Sequence, residues 1–525
     1  MKRNMQTGGV LVAMILGAVV YTHSQSRPPA ASTSSTAAAL RQLAYLKASN
    51  PAEDAHFGCG GTLTGHAGNS AAISDDGNTI AMGAPHESSG AKGINGNQND
   101  KSVPGAGAVY VFVRRGNTVT QQAYVKASNP MTDANFGSSV ALSQDGNTMA
   151  VAAYYESSAA TGINGNQDDR SIPEAGAVYI FTRTGTTWSQ QAYIKASNTG
   201  TAAVGNGFAE GDQFGYSISL SSDGNTLAVG AIGEDSKAEG VNGDQKDDSN
   251  NQSGAAYVFT RTSATWTQQA YIKSSMNRPN VLFSYSIGIS GNGDTLAVAE
   301  YDADRGKGAL YVLTRTAGAW SHQARIQADN AENGDSLGYS MAISDDGNTI
   351  AAGAADEDCL KTGVNPTGCD MDQKADTSAG AAYIFVRNGA SWTQQAFLKA
   401  SNTGDHDWFG VRLALSGDGN TVAVSAPQED SASKGINGKE DDQSAAEAGA
   451  VYYFTRTGAT WAQQAYVKSS NARAGDEFGS SIGLSRDGRT LVVGSRGEDS
   501  GAKGVNGNQA DSSVRDAGAA YVFTR

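Results

Sequence analysis

The residues with the chemistry to bind something are carboxylates and asparagines, and they gather in loops of one design. Six stretches, 87–105, 156–174, 234–253, 356–379, 429–447 and 498–516, hold 28 Asp and Glu against 11 Lys and Arg. That excess is larger than the −14 of the whole 525-residue chain, so the remainder is slightly basic. The string GVNGDQKDD places Asn242, Asp244, Asp247 and Asp248 in one loop. Asn95, Asn97 and Asp100, then Asp168 and Asp169, Asp441 and Asp442, and Asp511 recur in the others. Calcium takes roughly six to eight such oxygen donors, so these are the candidate ligands of calcium-ordered loops. The face they form could also meet a cationic or sugar-like partner. Asn-Gly and Asp-rich strings are equally what tight turns select for backbone reasons, although six near-copies are more order than solubility requires.

A unique site would lie where the copies differ. The fourth copy lacks the long loop and reads EYDADRGKG from Glu300 to Gly308. The notch this leaves would be lined by Tyr301, Asp302, Asp304 and Arg305, a ligand entrance against the plainer account of a simple deletion. Trp408 stands beside Phe409 without a counterpart in other copies and is a candidate contact. The first copy inserts CGGTLTGHAG from Cys59, and the third carries TGTAAVGNGFAEGDQ from Thr199. Cys359 and Cys369 flank KTGVNPTG in one loop, and after export could form a disulfide stabilising by roughly 2–3 kcal/mol; Cys59 is left over.

Several chemistries are excluded or unsupported. The acid excess argues against nucleic acid and against docking on anionic lipid. Six His stand at 23, 56, 66, 86, 322 and 406, none in register, which argues against a multi-histidine metal centre. There is no nucleophile elbow, phosphate loop or metalloprotease helix. Acid pairs are plentiful because the loops are acidic, so a polysaccharide hydrolase or lyase stands as the alternative to a binding module, with a purely structural surface module as a third reading.

The supporting elements are legible as repeats. GAVYVF at Gly107 recurs from 176, 254, 308, 380, 449 and 518, and SDDGNT at Ser74 recurs from 143, 221, 290, 344, 416 and 485. QQAYVKASN at Gln121 recurs five times, and its seventh copy, QLAYLKASN, stands at the front from Gln42. Each unit predicts four strands, in the second unit Phe136–Ser143, Thr148–Ala153, Ala177–Arg183 and Trp188–Ser197, with Asp145-Gly146-Asn147 as a tight turn. Seven such units with sheet edges to hide predict a seven-bladed β-propeller of four-stranded antiparallel blades. The chain ends after a third strand, so the N-terminal strand is expected to complete the last blade and close the ring. Trp188, Trp266, Trp320, Trp392 and Trp461 recur in register and read as blade packing. Ahead of the repeats, residues 1–26 read as a signal peptide, with Lys2 and Arg3 before a short apolar run, and 27–40 as a low-complexity linker. The domain is expected over 41–525.

Phe-Gly opens the first strand at Phe57-Gly58, Phe136-Gly137, Phe214-Gly215, Phe409-Gly410 and Phe478-Gly479, and Gly83-Ala84-Pro85 closes the second, with relatives at Ser425-Ala426-Pro427 and Gly230-Ala231. These strings resemble FG-GAP repeats, the blades of integrin α-subunit propellers and of many exported bacterial proteins. The resemblance implies an extracellular or cell-surface binding role, often adhesive, and often calcium in the hairpin between the first two strands. Here that hairpin is SDDGNTI or SSDGNTL, with Thr and an apolar residue where a closing acid would stand, so it is expected to be structural. The expectation is an exported, non-catalytic, monomeric propeller that binds a protein or carbohydrate ligand.

Overall fold

A computed structural model describes residues 39–59, 68–200, 211–369 and 377–525. The signal segment, most of the linker, and much of the insertions in the first and third units lie outside these residues. The fold is all-β: seven four-stranded antiparallel sheets, blades I to VII, span 71–125, 140–194, 214–272, 283–326, 340–398, 413–467, and 478–524 with 41–46. The first strands of neighbouring blades contact one another around the ring and so surround a central channel.

Blade II shows why the sequence folds this way. Its strands are Val140–Leu142, Thr148–Ala153, Ala177–Thr184 and Thr187–Ile194. Thr148–Ala153 is buried at every position because each blade is sandwiched between two others, which favours small apolar side chains on both faces. Only the outermost strand alternates between exposed and buried over its first half. The first strand is shorter than expected, and the Phe136-Gly137 step lies ahead of it. Gly137 has φ +96°, and a Cβ there would lie 2.6 Å from the Ala108 carbonyl oxygen of blade I. Gly107 faces the same junction: its Cβ would lie 2.1 Å from the oxygen of Phe136. The Phe-Gly and Gly-Ala strings therefore mark where one blade's backbone passes against the next.

The N-terminal strand closes the ring. Arg41–Leu46 pairs antiparallel with Ala519–Thr524, Tyr45 opposite Tyr521. The SxDGNT turns are structural: Asp76 accepts from the Ser74 hydroxyl at 2.6 Å and from the Asn78 amide at 2.9 Å. The tryptophans pack between blades. Arg183 lies 5.2 Å over the Trp188 ring, and both donate to Oε1 of Gln122 in the preceding blade, at 3.1 and 3.0 Å. The arrangement repeats at Trp266, Trp320 and Trp461. Cys359 and Cys369 form a disulfide; Cys59 is buried and outside one. Among the described residues no helix is long and apolar enough to cross a membrane.

Candidate functional site at the loop face

The long loops are anchored by a buried ion pair. At or next to the start of each stands a glutamate that meets the lysine just past the end of its own blade's outermost strand: Glu87–Lys126 at 2.7 Å, Glu156–Lys195 at 2.9 Å, Glu234–Lys273 at 2.5 Å, Glu357–Lys399 at 2.6 Å, Glu429–Lys468 at 2.6 Å, and Glu498–Lys47 at 2.6 Å. All six lysine side chains are inaccessible to solvent. Glu156 is also held by Asn129 Nδ2 at 3.0 Å and the Ser158 amide at 3.1 Å, so its charge is fully met. Sequence reading passed over these residues. A signal was present: the fourth copy lacks both members, with Gln327 where the lysine stands and Ala303 where the glutamate stands.

The candidate calcium ligands are spread over separate turns. Asn242 is committed to the backbone of Tyr271, donating its amide N–H at 2.7 Å and accepting on Oδ1 at 2.9 Å; Asn95 does the same with Tyr124. Asp244 accepts from the Lys246 amide at 3.0 Å, and Asp247 from the Ser249 amide at 3.0 Å and from Lys237 at 3.2 Å. Asp100, Asp169, Asp442 and Asp511 each cap the amide two residues on. Asn97 caps the Asn99 amide, and the Asp168 amide is capped by Asn166. Asp441 lies 3.6 Å from Lys439 in solvent. Asp248 sits above the usual carboxylate range through partial burial and the nearby Glu234 and Asp247 charges. Among the described residues, the triads of acid, His or Cys groups with ligand atoms within 4.8 Å are Glu357–Cys359–Cys369 and Asp54–His56–Asp516. None of the candidate loop aspartates belongs to either.

The departures from the repeat converge at the loop-face mouth of the channel. Tyr216, Tyr285 and Tyr339 follow the Phe214-Gly215 step of blade III and its equivalents Phe283-Ser284 and Leu337-Gly338 in blades IV and V, where blades II and VII carry Ser138 and Ser480. They form an arc with Tyr154, Tyr155 and Tyr301. Tyr154–Tyr155 centroids are 4.1 Å apart, Tyr154–Tyr216 5.9 Å, Tyr216–Tyr285 5.3 Å and Tyr285–Tyr339 5.4 Å. Tyr301 stacks on Tyr285 at 4.3 Å and 19°. Tyr301 and Trp408, singled out from separate copies, thus belong to one cluster, both half-buried, with Val411 and Ala355. Asp302 and Arg305 stay exposed. Asp304 turns away to Arg325 at 2.6 Å and Gln327 at 3.1 Å, replacing the Glu–Lys pair that blade IV lacks. The tyrosines at this step were legible as broken repeats; their mutual contact was not.

Below the tyrosines lies a channel cavity of about 270 Å³, lined by Ser139, Ser217, Ser286, Ser340 and Arg412, among others. At its hairpin end Arg486 extends from blade VII to Asp75 at 3.2 Å and to Asp345. A Cβ on Gly291 or Gly417 would strike the Arg486 side chain, so these glycines make room for it. The two channel carboxylates therefore share a guanidinium instead of facing an open reaction space.

Four aspartates beside the Glu–Lys pairs are unusually buried. Burial first, then neighbouring acids, pushes Asp335, Asp407 and Asp476 up to about 7, and Asp212 well above the usual range. Asp476 accepts the Arg473 amide at 2.9 Å and lies close to Glu498 and Asp499. A folded-state pKa above the unfolded value near 3.9 favours folding below about pH 4, and this contribution is lost as pH rises through about 7. Asp476→Asn is therefore expected to gain about 1–3 kcal/mol over the parent at pH 8 and little at pH 4. Urea unfolding at the two pH values checks this; an equal gain at both would remove the assignment.

A family model described as FG-GAP repeat matches residues 119–181, 188–259, 392–454 and 461–523. Each match runs from the outermost strand of one blade to the third strand of the next. The span from 260 to 391, which holds most of blades IV and V, lies between matches. No curated protein matches the chain. Among solved structures, a provisionally named 6-phosphogluconolactonase from Bacteroides uniformis ATCC 8492 is similar at a TM-score of 0.42 and 10% identity, over 76% of this chain and 85% of that one.

Proposed function

This chain belongs to the FG-GAP repeat family and folds as a seven-bladed β-propeller, and from that premise we propose that it is an exported, non-catalytic module binding a protein or carbohydrate ligand at the loop face over blades IV to VI. The observation that carries this reading is the convergence of non-repeating aromatic residues on one mouth of the ring. Tyr154, Tyr216, Tyr285 and Tyr339 are buried and form the support; the half-buried Tyr155, Tyr301 and Trp408 above them present aromatic surface suited to a sugar ring or an apolar side chain of a partner. The tie between Asp75, Asp345 and Arg486 counts against the hydrolase or lyase alternative, since a general acid and base need open access to substrate. Export is supported by the Cys359–Cys369 disulfide, a bond that persists in oxidising compartments. The acidic loops need no calcium in this reading, because their carboxylates already cap turns and their bases are held by Glu–Lys pairs.

The test is an array of neutral and acidic oligosaccharides probed with the purified chain, followed by fluorescence titration of the hits. Trp408→Ala and Tyr301→Ala are each expected to weaken binding at least tenfold, about 1.4 kcal/mol, with unchanged melting temperature. Release of new reducing ends from a hit would overturn the non-catalytic reading, and binding indifferent to both substitutions would move the site elsewhere.

A further inference from the structure

We propose that the seam between blades VII and I carries a binding site for a zinc-class divalent cation, formed by Asp54, His56 and Asp516 and supported by His86. The ligand atoms of the first three lie within 4.8 Å of one another, so side-chain rotations of about 1 Å would bring them to the roughly 3.3–3.6 Å spacing that a tetrahedral cation with ligands at about 2.0–2.2 Å requires. The spacing of the histidines in sequence argued against a multi-histidine centre, and this site uses one histidine ligand; its second carboxylate, Asp516, arrives because the fold joins the two ends of the domain.

The backbone frame is common to several blade junctions, but the donors are not. The amide of His56 bonds the Asp516 carbonyl, as that of Asn135 bonds Gly105, Gln213 bonds Glu174, and Glu477 bonds Glu447. The fold thus brings the corresponding positions together repeatedly. At the ring seam they are Asp54, His56 and Asp516, and the residue after the Gly-Ala-Pro step is His86 instead of the Tyr155, Gly233 or Gln428 of blades II, III and VI. His86 and His56 face each other with ring centroids 4.7 Å apart, and His86 hydrogen-bonds the main-chain carbonyl of Asp54. A histidine so held fixes the orientation of the residues that would ligate. An imidazole with two carboxylates suits zinc and its transition-metal relatives and falls short of the all-oxygen shell that calcium prefers.

Arg515 is the competing feature. It reaches Oδ2 of Asp54 and Oδ2 of Asp516, both at 2.8 Å, and Glu53 at 3.1 Å, yet is 60% exposed and able to swing clear. Asp54 and His56 lead into blade I, whereas Asp516 belongs to blade VII, so a bound cation would clasp the point where the ring closes.

The experiment uses the untagged chain with zinc or calcium, read by thermal unfolding, and with cobalt, read by visible absorption. Zinc at micromolar excess is expected to raise the melting temperature by several degrees through binding the folded state, calcium to leave it unmoved, and cobalt to give a tetrahedral-type band. His56→Gln and Asp516→Asn should each remove both signals, His406→Gln neither, and Arg515→Gln should tighten binding. No zinc-dependent rise in the parent, or a rise and cobalt band that persist in both His56→Gln and Asp516→Asn, would overturn the proposal.

Discussion

A chain that begins at residue 51 is expected to lose its cooperative fold. The missing strand carries Tyr45 and Leu46, both fully buried, and Lys47, whose ammonium is the partner of Glu498. Burial of the two large side chains contributes about 1.5–3 kcal/mol each. Stripping a buried carboxylate of its cation costs about 3–5 kcal/mol more. Glu498 would also lose the Tyr45 hydroxyl at 2.7 Å. The total approaches the whole stability of a typical domain, about 5–15 kcal/mol, and the unpaired edge of Ala519–Thr524 would be open to association. The check is thermal unfolding and sedimentation of the truncated chain, alone and with a synthetic peptide spanning 39–50. Recovery of a sharp transition with the peptide is the expected result. A truncated chain as stable as the parent would show that the ring does not depend on this strand.

The second large effect is expected inside a blade. Lys195→Met should destabilise by about 3–5 kcal/mol, because the buried Glu156 loses its close cation and keeps only Arg170, 4.0 Å from its other oxygen. Both side chains are fully buried, at 2.9 Å. Lys195→Met with Glu156→Leu should recover most of the loss, since paired apolar replacements of similar volume are often neutral. Urea unfolding of the three proteins separates the cases. A single variant no less stable than the double would mean that Asn129, Ser158 and Arg170 suffice to hold Glu156, and that the pair serves loop geometry more than stability.

The sequence was most informative about what repeats. The Gly-Ala string and the SxDGNT turn recur because seven blades pose the same backbone problem seven times: a close approach at each junction and a tight turn at each hairpin. The position of QLAYLKASN at the front of the chain was enough to place the closing strand, because a four-stranded blade missing its last strand has one partner to find. The Trp register identified packing residues before their contacts with Gln and Arg were visible.

Function was less legible because loop sequence reports composition and not convergence. Asn242 and the acids of its loop resembled a ligand set, but tertiary folding assigns Asn242 to a strand backbone and most of the acids to single turns. Five of the Glu–Lys pairs were hidden by 39 to 42 residues of separation, which the blade reduces to one hydrogen bond, and the sixth, Glu498–Lys47, by 451 residues, which ring closure removes. Tyr301 and Trp408 were chosen as isolated oddities of different copies; only the curvature of the ring brings them into one aromatic cluster. Asp54 and Asp516 stand at opposite ends of the domain and become neighbours because the chain closes on itself. The sequence by itself determined the blade, its number and its closure, since these follow from local patterning repeated in register. The tertiary structure alone decided which unrepeated side chains share a site, because proximity in a closed ring is set by blade geometry and not by distance along the chain.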